Sequence, residues 1–293
     1  MKTAIEQSVK EKIKVLAKER EISFAELWRN LILERFLARL SQSPYRDRFV
    51  LKGGMLLAKY LPIGRETKDL DFFIQHLSNA QQSLEKVLQA ICRVSIDDSF
   101  TFELTKIEVL EHVHMAYTGA EISLLAQFGA TQTIIRMDLG FGDVVEPIDY
   151  PIDLMATAKG PLFEQKVSLR CYPKEFIFAE KLETIVFRGG ENTRMKDFHD
   201  LYTLISLGKL GELYTQKAIE LVFNHRKTSL QRLPVKFDSL ALEQLQKGWE
   251  VYCRRLKTTK NSLVLPGAVS EVVEVVNEWL GQKTDLCKEI GNR

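Results

Sequence analysis

The sequence has little of what would mark a chain for a membrane, an oxidising compartment or a strongly charged partner. No run approaches the roughly 18 uninterrupted apolar residues of a spanning helix. The four cysteines (Cys92, Cys171, Cys253, Cys287) are scattered, form no CxxC pair and have no histidines at ligand spacing. Zinc sites and a disulfide framework are therefore not expected, and reduced thiols are. Proline and glycine are sparse and no internal repeat or low-complexity tract occurs, which excludes fibrous and disordered classes. Net charge is only +2, so there is no global pull toward nucleic acid or lipid. The opening MKTAIEQSVKEKIK carries an acid and no apolar h-region, unlike a signal peptide. The expectation is a soluble cytoplasmic protein without a membrane partner.

What is present is material for a sizeable core: 45% hydrophobic residues spread over 293. At about 100–200 residues per domain, that length predicts one large or two ordinary domains. Charge is uneven along the chain. The first half is slightly acidic and the second basic, with nine Lys/Arg against three acids between Arg226 and Lys260.

Val9, Ile13, Leu16, then Phe24, Leu27, Leu31, Phe36 and Leu40 recur at mostly helical spacing. Ser23, with Glu26 three residues on, reads as a capping box opening the second helix. Phe49-Val-Leu51 is a short strand running into Gly53-Gly54, and 55–61 a short helix stopped by Pro62. Leu70-Asp-Phe-Phe-Ile74 is an apolar strand interrupted by an acid. After an amphipathic helix over 80–94, the spans 100–109, 112–118, 122–128 and 133–139 read as strands. Pro147 to Pro151 marks an exit, and 167–171 a last strand. Helical periods then cover 176–187, 195–206, 210–224, 239–255 and 269–280. The predicted layout is a domain over 1–160 with a helical lead-in, and a mainly helical domain over 161–293.

The chemistry concentrates between Lys52 and Asp71. A Gly-Gly turn between strand and helix leaves backbone N–H groups open to a phosphate. Asp69 and Asp71, two apart in an extended run, share one face. Converging carboxylates suit magnesium ions that complete their shell with substrate phosphate, and a metal pair stabilises the attacking and leaving oxygens of an in-line displacement. Asp138, within Ile134-Ile-Arg-Met-Asp-Leu139, supplies a third carboxylate on an otherwise apolar strand. A charge there is costly if buried unpaired and tolerable at a strand end facing a metal. Arg65 and Lys52 can each reach a phosphate or serve as structural ion-pair partners, Arg65 with Glu66 or Asp69. His112 and His114 share a strand face without a third ligand.

Lys52-Gly-Gly together with Arg65-Glu-Thr-Lys-Asp-Leu-Asp-Phe72 resembles the nucleotide-binding motif of polymerase-β-type nucleotidyltransferases, and more narrowly that of the AbiEii/MenT toxin family. Glu180-Lys-Leu-Glu-Thr-Ile-Val-Phe-Arg188, Arg194-Met-Lys-Asp-Phe-His-Asp-Leu-Tyr202 and the lead-in Arg39-Leu-Ser-Gln-Ser-Pro-Tyr45 are similar to that family too. The resemblance spans about Arg35 to Tyr202. It implies an α/β (α+β) fold: a polymerase-β-like nucleotidyltransferase core with a mixed sheet, plus a helical carboxyl-terminal domain. It further implies that Asp69 and Asp71 hold Mg²⁺ or Mn²⁺, that Gly53 and Gly54 form the triphosphate turn, that Lys181 contacts the triphosphate of an NTP and that Asp197 is a further acid of the site. Thr67 stands where some relatives carry a phosphate-accepting serine. One departure is Met55, where many superfamily members have serine after glycine.

The reading is of an Mg²⁺-dependent enzyme that transfers NMP from an NTP to an acceptor, with Asp138 assisting the acceptor hydroxyl. By resemblance the acceptor is a tRNA 3′ end, and the protein is a toxin whose cognate antitoxin is a separate DNA-binding regulator. Two rival readings are a protein or small-molecule acceptor, and a non-catalytic nucleotide- or partner-binding module. Arg232, Lys236, Arg254, Arg255 and Lys257 are the candidates for a polynucleotide backbone. Trp249 and Tyr252 beside them fit a core stripe better than a stacking platform.

Overall fold

The computed structural model describes residues 2–110, 119–256 and 263–286. The expected strand over 112–118 and Lys257 lie outside them, as do His112, His114 and Cys287. The chain divides into two compact units. The first comprises Met1–Lys59, Glu66–Asp143 and Pro147–Tyr172, the second Tyr60–Arg65, Val144–Glu146 and Pro173–Arg293.

In the first unit, helices α1 (Lys2–Arg20) and α2 (Phe24–Gln42) precede strand β1 (Phe49–Lys52) and helix α3 (Gly53–Tyr60). Strand β2 (Leu70–Ile74), helix α4 (Gln81–Cys92) and the meander β3 (Phe100–Leu110), β4 (Gly119–Phe128) and β5 (Thr131–Phe141) follow. Then come β6 (Ile148–Asp153), the small ladder β7 (Ala156–Thr157) with β8 (Gly160–Pro161), and β9 (Lys166–Cys171). Seven strands form one mixed sheet in the order β3-β4-β5-β2-β1-β9-β6. The β2–β5 and β1–β9 pairs are parallel and the others antiparallel. The proline-bounded exit expected near Pro151 is instead strand β6, at the sheet edge. There a proline forfeits no ladder bond on its solvent side.

Alternation explains the meander. Phe100, Phe102, Ile122, Leu124, Phe128, Ile135 and Met137 are buried on one face, while Thr101, Glu103, Glu121, Gln127, Arg136 and Asp138 are exposed on the other. Ser23 Oγ accepts the Glu26 N–H at 3.1 Å, as the capping pattern predicts. Helix α2 is buried at every position over 31–40, charged residues included. Those charges are compensated: Asp98 accepts from Arg35 Nε at 2.7 Å and from both Arg39 terminal nitrogens at 2.8 Å. Glu34 takes the Met155 N–H at 2.7 Å and the Lys59 ammonium. Buried ions are tolerable only when paired in this way.

The second unit is helical: α5 (Lys174–Arg188), α6 (Met195–Leu207), α7 (Glu212–His225), α8 (Ser239–Arg255) and α9 (Val269–Lys283). Gly189, at φ +57°, ends α5, and the Asp238 carboxylate caps α8 by accepting the Ala241 N–H at 2.8 Å. Phe176, Phe178, Phe198, Phe223 and Trp249 are all but inaccessible. Trp249 therefore belongs to the core, with its indole N–H on the Pro266 carbonyl at 3.0 Å. Among the described residues no helix is long and apolar enough to cross a membrane.

Candidate active site

In the first unit, β1 ends at Lys52 and the chain turns at Gly53 directly into α3. Gly53 has φ +69°, and a Cβ placed there would stand 2.0 Å from Asp71 Oδ2. Only glycine permits both the left-handed backbone and this approach to the carboxylate. Ladder register sets Lys52 opposite Asp71, Asp71 opposite Asp138, and Asp138 opposite Glu121. Cross-strand partners share a face. One rung of the sheet thus carries a cation beside a row of acids. Asp71 is half-buried, Asp138 exposed, and Asp69 exposed immediately before β2. The Asp138 side chain therefore keeps its solvation, which removes the burial cost the sequence raised.

A further acid belongs to this neighbourhood. Asp143, just past β5, accepts from the Lys52 ammonium and from the Tyr172 hydroxyl at 2.8 Å. The Lys52 Nζ also stands 5.0 Å from the centre of the Tyr172 ring. Asp143 carried no sequence signal, since Gly142-Asp143 reads as an ordinary turn. Met55 is buried, and its sulfur lies 3.9 Å from the hydroxyl of Thr67, a residue only 8% exposed. The side chain at position 55 is thus spent on core packing, and the Thr67 hydroxyl faces inward.

The carboxylate rung fits a hard divalent cation. Like charges directly opposite on a sheet repel, and an oxygen-only donor set is what magnesium or manganese takes. Among the described residues no three His, Cys, Asp or Glu side chains converge as a closed metal cage. Magnesium seldom needs one, because one or two carboxylates plus substrate phosphates complete its shell.

The second unit gathers a different cluster. Arg65 grips Asp200 with both prongs, Nε at 2.8 Å and Nη2 at 2.7 Å. Lys181 on α5 bridges Asp197 at 2.9 Å and Asp200 at 2.7 Å, and Arg194 Nε donates to Asp197 at 2.8 Å. Burial opposes ionisation of all four central groups. Their mutual attraction outweighs it, so Arg65 and Lys181 are raised and Asp197 and Asp200 lowered from their usual ranges. All four stay charged at neutral pH. The sequence offered Glu66 or Asp69 as the ion-pair partner of Arg65. The fold brings it Asp200, which lies one helical turn from Asp197, a spacing visible in the sequence. His199 beside it is buried, which lowers its pKa to about 4. Its Nδ1 lies in hydrogen-bond contact with the Tyr252 hydroxyl, 2.7 Å away.

Of the candidates in the basic segment, Arg232, Lys236, Arg254 and Arg255 are exposed. Arg254 lines a cavity of about 520 Å³ with His199 and Cys253, and Arg255 lines another of about 700 Å³ beside the start of α6.

Comparison with known proteins gives this arrangement a context. No curated protein sequence matches the chain. MenT4, a nucleotidyltransferase toxin from Mycobacterium tuberculosis H37Rv, superposes with a TM-score of 0.56 at 16% identity, over 96% of this chain and 91% of that one. JHP933 from Helicobacter pylori superposes with a TM-score of 0.47 at 15% identity, over 92% and 96% respectively. The first of these likenesses shows the fold. The family described as nucleotidyl transferase AbiEii toxin, type IV toxin–antitoxin system, matches residues 35–275, a span that takes in the Lys52–Asp71–Asp138 rung and the Lys181–Asp197–Asp200 cluster. With most of its length matched, the chain belongs to the AbiEii family of nucleotidyltransferase toxins.

Proposed function

We propose that the protein transfers a nucleoside monophosphate from an NTP to the 3′ hydroxyl of a tRNA, using Mg²⁺ or Mn²⁺ held by Asp69 and Asp71. The observation that carries this reading is the rung of Lys52, Asp71 and Asp138 set against the Gly53 turn. In the proposed reaction the acceptor oxygen forms a bond to the α-phosphorus, the bond to the pyrophosphate oxygen breaks, and the acceptor proton leaves to a base. Asp138, solvated and next to Asp71 in register, is that base. A divalent cation, when bound, stabilises the attacking and leaving oxygens.

Gly53 and Gly54 offer backbone N–H groups at the start of α3 to the triphosphate. Lys52, held by Asp143 and Tyr172, keeps a cation at the mouth of that turn. Lys181 supplies charge to the triphosphate, with Asp197 and Asp200 fixing its ammonium. Arg65 acts through Asp200 rather than on phosphate directly, and Thr67 is a packing residue. The type IV system implies an antitoxin, which we take to be a separate DNA-binding regulator.

The test is incubation with each α-labelled NTP, Mg²⁺ and total tRNA, either intact or with its 3′ diol destroyed by periodate. Label entering intact tRNA alone is the expected result. Label on periodate-treated tRNA excludes the 3′ hydroxyl, and label on protein or a small product replaces the acceptor.

A further inference from the structure

The active-site rung continues across the meander. Glu108 on β3 stands opposite Glu121, so the row runs Lys52, Asp71, Asp138, Glu121, Glu108 from β1 to β3. Gly53 and the start of α3 lie at its Lys52 end. In-line transfer sets the attacking oxygen opposite the leaving pyrophosphate. With the triphosphate at the glycine turn, the acceptor therefore arrives from the β4–β3 side.

On that side the next rung of the same exposed face is cationic. Arg136 lies two residues from Asp138 along β5, about 7 Å away. Ser123 faces Arg136 across the ladder, and Lys106 faces Ser123. Lys106 holds that place through a β-bulge: Leu104 pairs with Leu124, yet Lys106 rather than Thr105 pairs with Ser123. In unbroken register Thr105 would take the position and Lys106 would turn to the opposite, buried face. Bulges beside active sites re-aim side chains in this way. Among the described residues no hydrogen bond or ion pair engages the Arg136 side chain, although Glu121 stands on its diagonal. Lys106 pairs with Glu108 at the surface, and so exposed a pair is worth little beside a charge-assisted bond to phosphate.

We propose that Arg136, with Ser123 and Lys106 beside it, binds the last phosphodiester of the acceptor strand, a proposal that rests on the tRNA reading above. The acids of the active-site rung repel a polyanion, and the cationic rung offsets that repulsion where the strand arrives. The step from Asp138 to Arg136 matches the reach from a nucleotide's 3′ hydroxyl to its own 5′ phosphate. Asp138 thus meets the hydroxyl while the Arg136 fork takes two oxygens of the phosphate behind it.

The experiment measures steady-state NMP transfer by the full chain to tRNA whose last phosphodiester is native or replaced by an uncharged methylphosphonate. Arg136→Gln, at an exposed strand position, should raise KM for native tRNA roughly ten-fold and leave KM for the NTP unchanged. The methylphosphonate should cost the wild type a similar factor and Arg136→Gln nothing further, because both changes remove one contact. Arg136→Lys should recover part of the loss. An unchanged KM for tRNA in Arg136→Gln overturns the proposal, and so do two penalties that multiply when combined. A rise confined to the KM of the NTP overturns it too, because Arg136 would then serve the nucleotide. Any of these results with tRNA still labelled by the wild type leaves the acceptor reading standing. If the wild type labels no tRNA, the acceptor reading falls and this proposal falls with it.

Discussion

Replacing Gly53 by alanine tests whether the turn is built around the Asp71 carboxylate. The new Cβ would meet Asp71 Oδ2 at 2.0 Å and Cγ at 2.5 Å, whereas ordinary contact begins at 3.4 Å. The carboxylate, or the turn, must therefore move by more than an ångström. Asp71 sits in a strand paired on both sides, and its Cβ would stand 2.8 Å from the new methyl, so swinging the carboxylate relieves only part of the clash. Displacing a catalytic group by about 1 Å costs on the order of 100-fold in rate. The left-handed backbone adds a separate cost of about 1–2 kcal/mol for any residue with a Cβ. Gly189 controls for backbone strain without a clash, because it has φ +57° and ψ −140° and a Cβ added there would meet nothing within 4 Å. Gly53→Ala and Gly189→Ala should thus both melt a few degrees low. Only Gly53→Ala should lose nucleotidyl transfer, by about 100-fold. Transfer at the normal rate by Gly53→Ala, or an equal loss in Gly189→Ala, refutes the reasoning.

Three further outcomes follow from the buried charges. His199 is neutral when folded, its pKa lowered to about 4 by burial, while the unfolded chain binds that proton near its ordinary value of 6.5. Stability should then fall as pH drops from about 6.5 to about 4, by on the order of 3 kcal/mol. Denaturant titrations of His199→Gln should show that segment flattened, and an unchanged slope would exclude His199 as its source. Asp98→Asn leaves Arg35 and Arg39 buried without their shared carboxylate and should cost about 3–5 kcal/mol, read as a lowered unfolding midpoint. Asp200→Asn should lower Tm more than Asp197→Asn, because Asp200 meets two largely buried cations and Asp197 shares Lys181 with the half-exposed Arg194. Equal shifts would deny Asp200 that central place.

Local signals were readable wherever the physics is local. The Ser23 cap, the glycine turn after a four-residue strand, the Asp69–Asp71 spacing and the five helices of the second unit depend on near neighbours, and each was visible in the chain. Contacts between distant segments were not. Nothing near Arg65 announces a fork closed on a carboxylate 135 positions later, and nothing at Gly142-Asp143 announces the Lys52 ammonium. Strand β6 escapes the sequence pattern because Pro147 before it and Pro151 within it read as breakers, a rule that the sheet edge suspends. The Asp71–Asp138 pairing required the parallel register of β2 with β5, which no one-dimensional pattern specifies.

The most direct test of the account compares wild type and Asp71→Asn in transfer of labelled NMP from NTP to tRNA, with thermal melting of both proteins. The asparagine keeps the side chain's size and removes the charge that faces Asp138 across the sheet. The account predicts Mg²⁺-dependent labelling by wild type, none by the variant, and a melting temperature for the variant equal to wild type or higher, since a repulsion is relieved. Full labelling by a normally folded Asp71→Asn protein would contradict it.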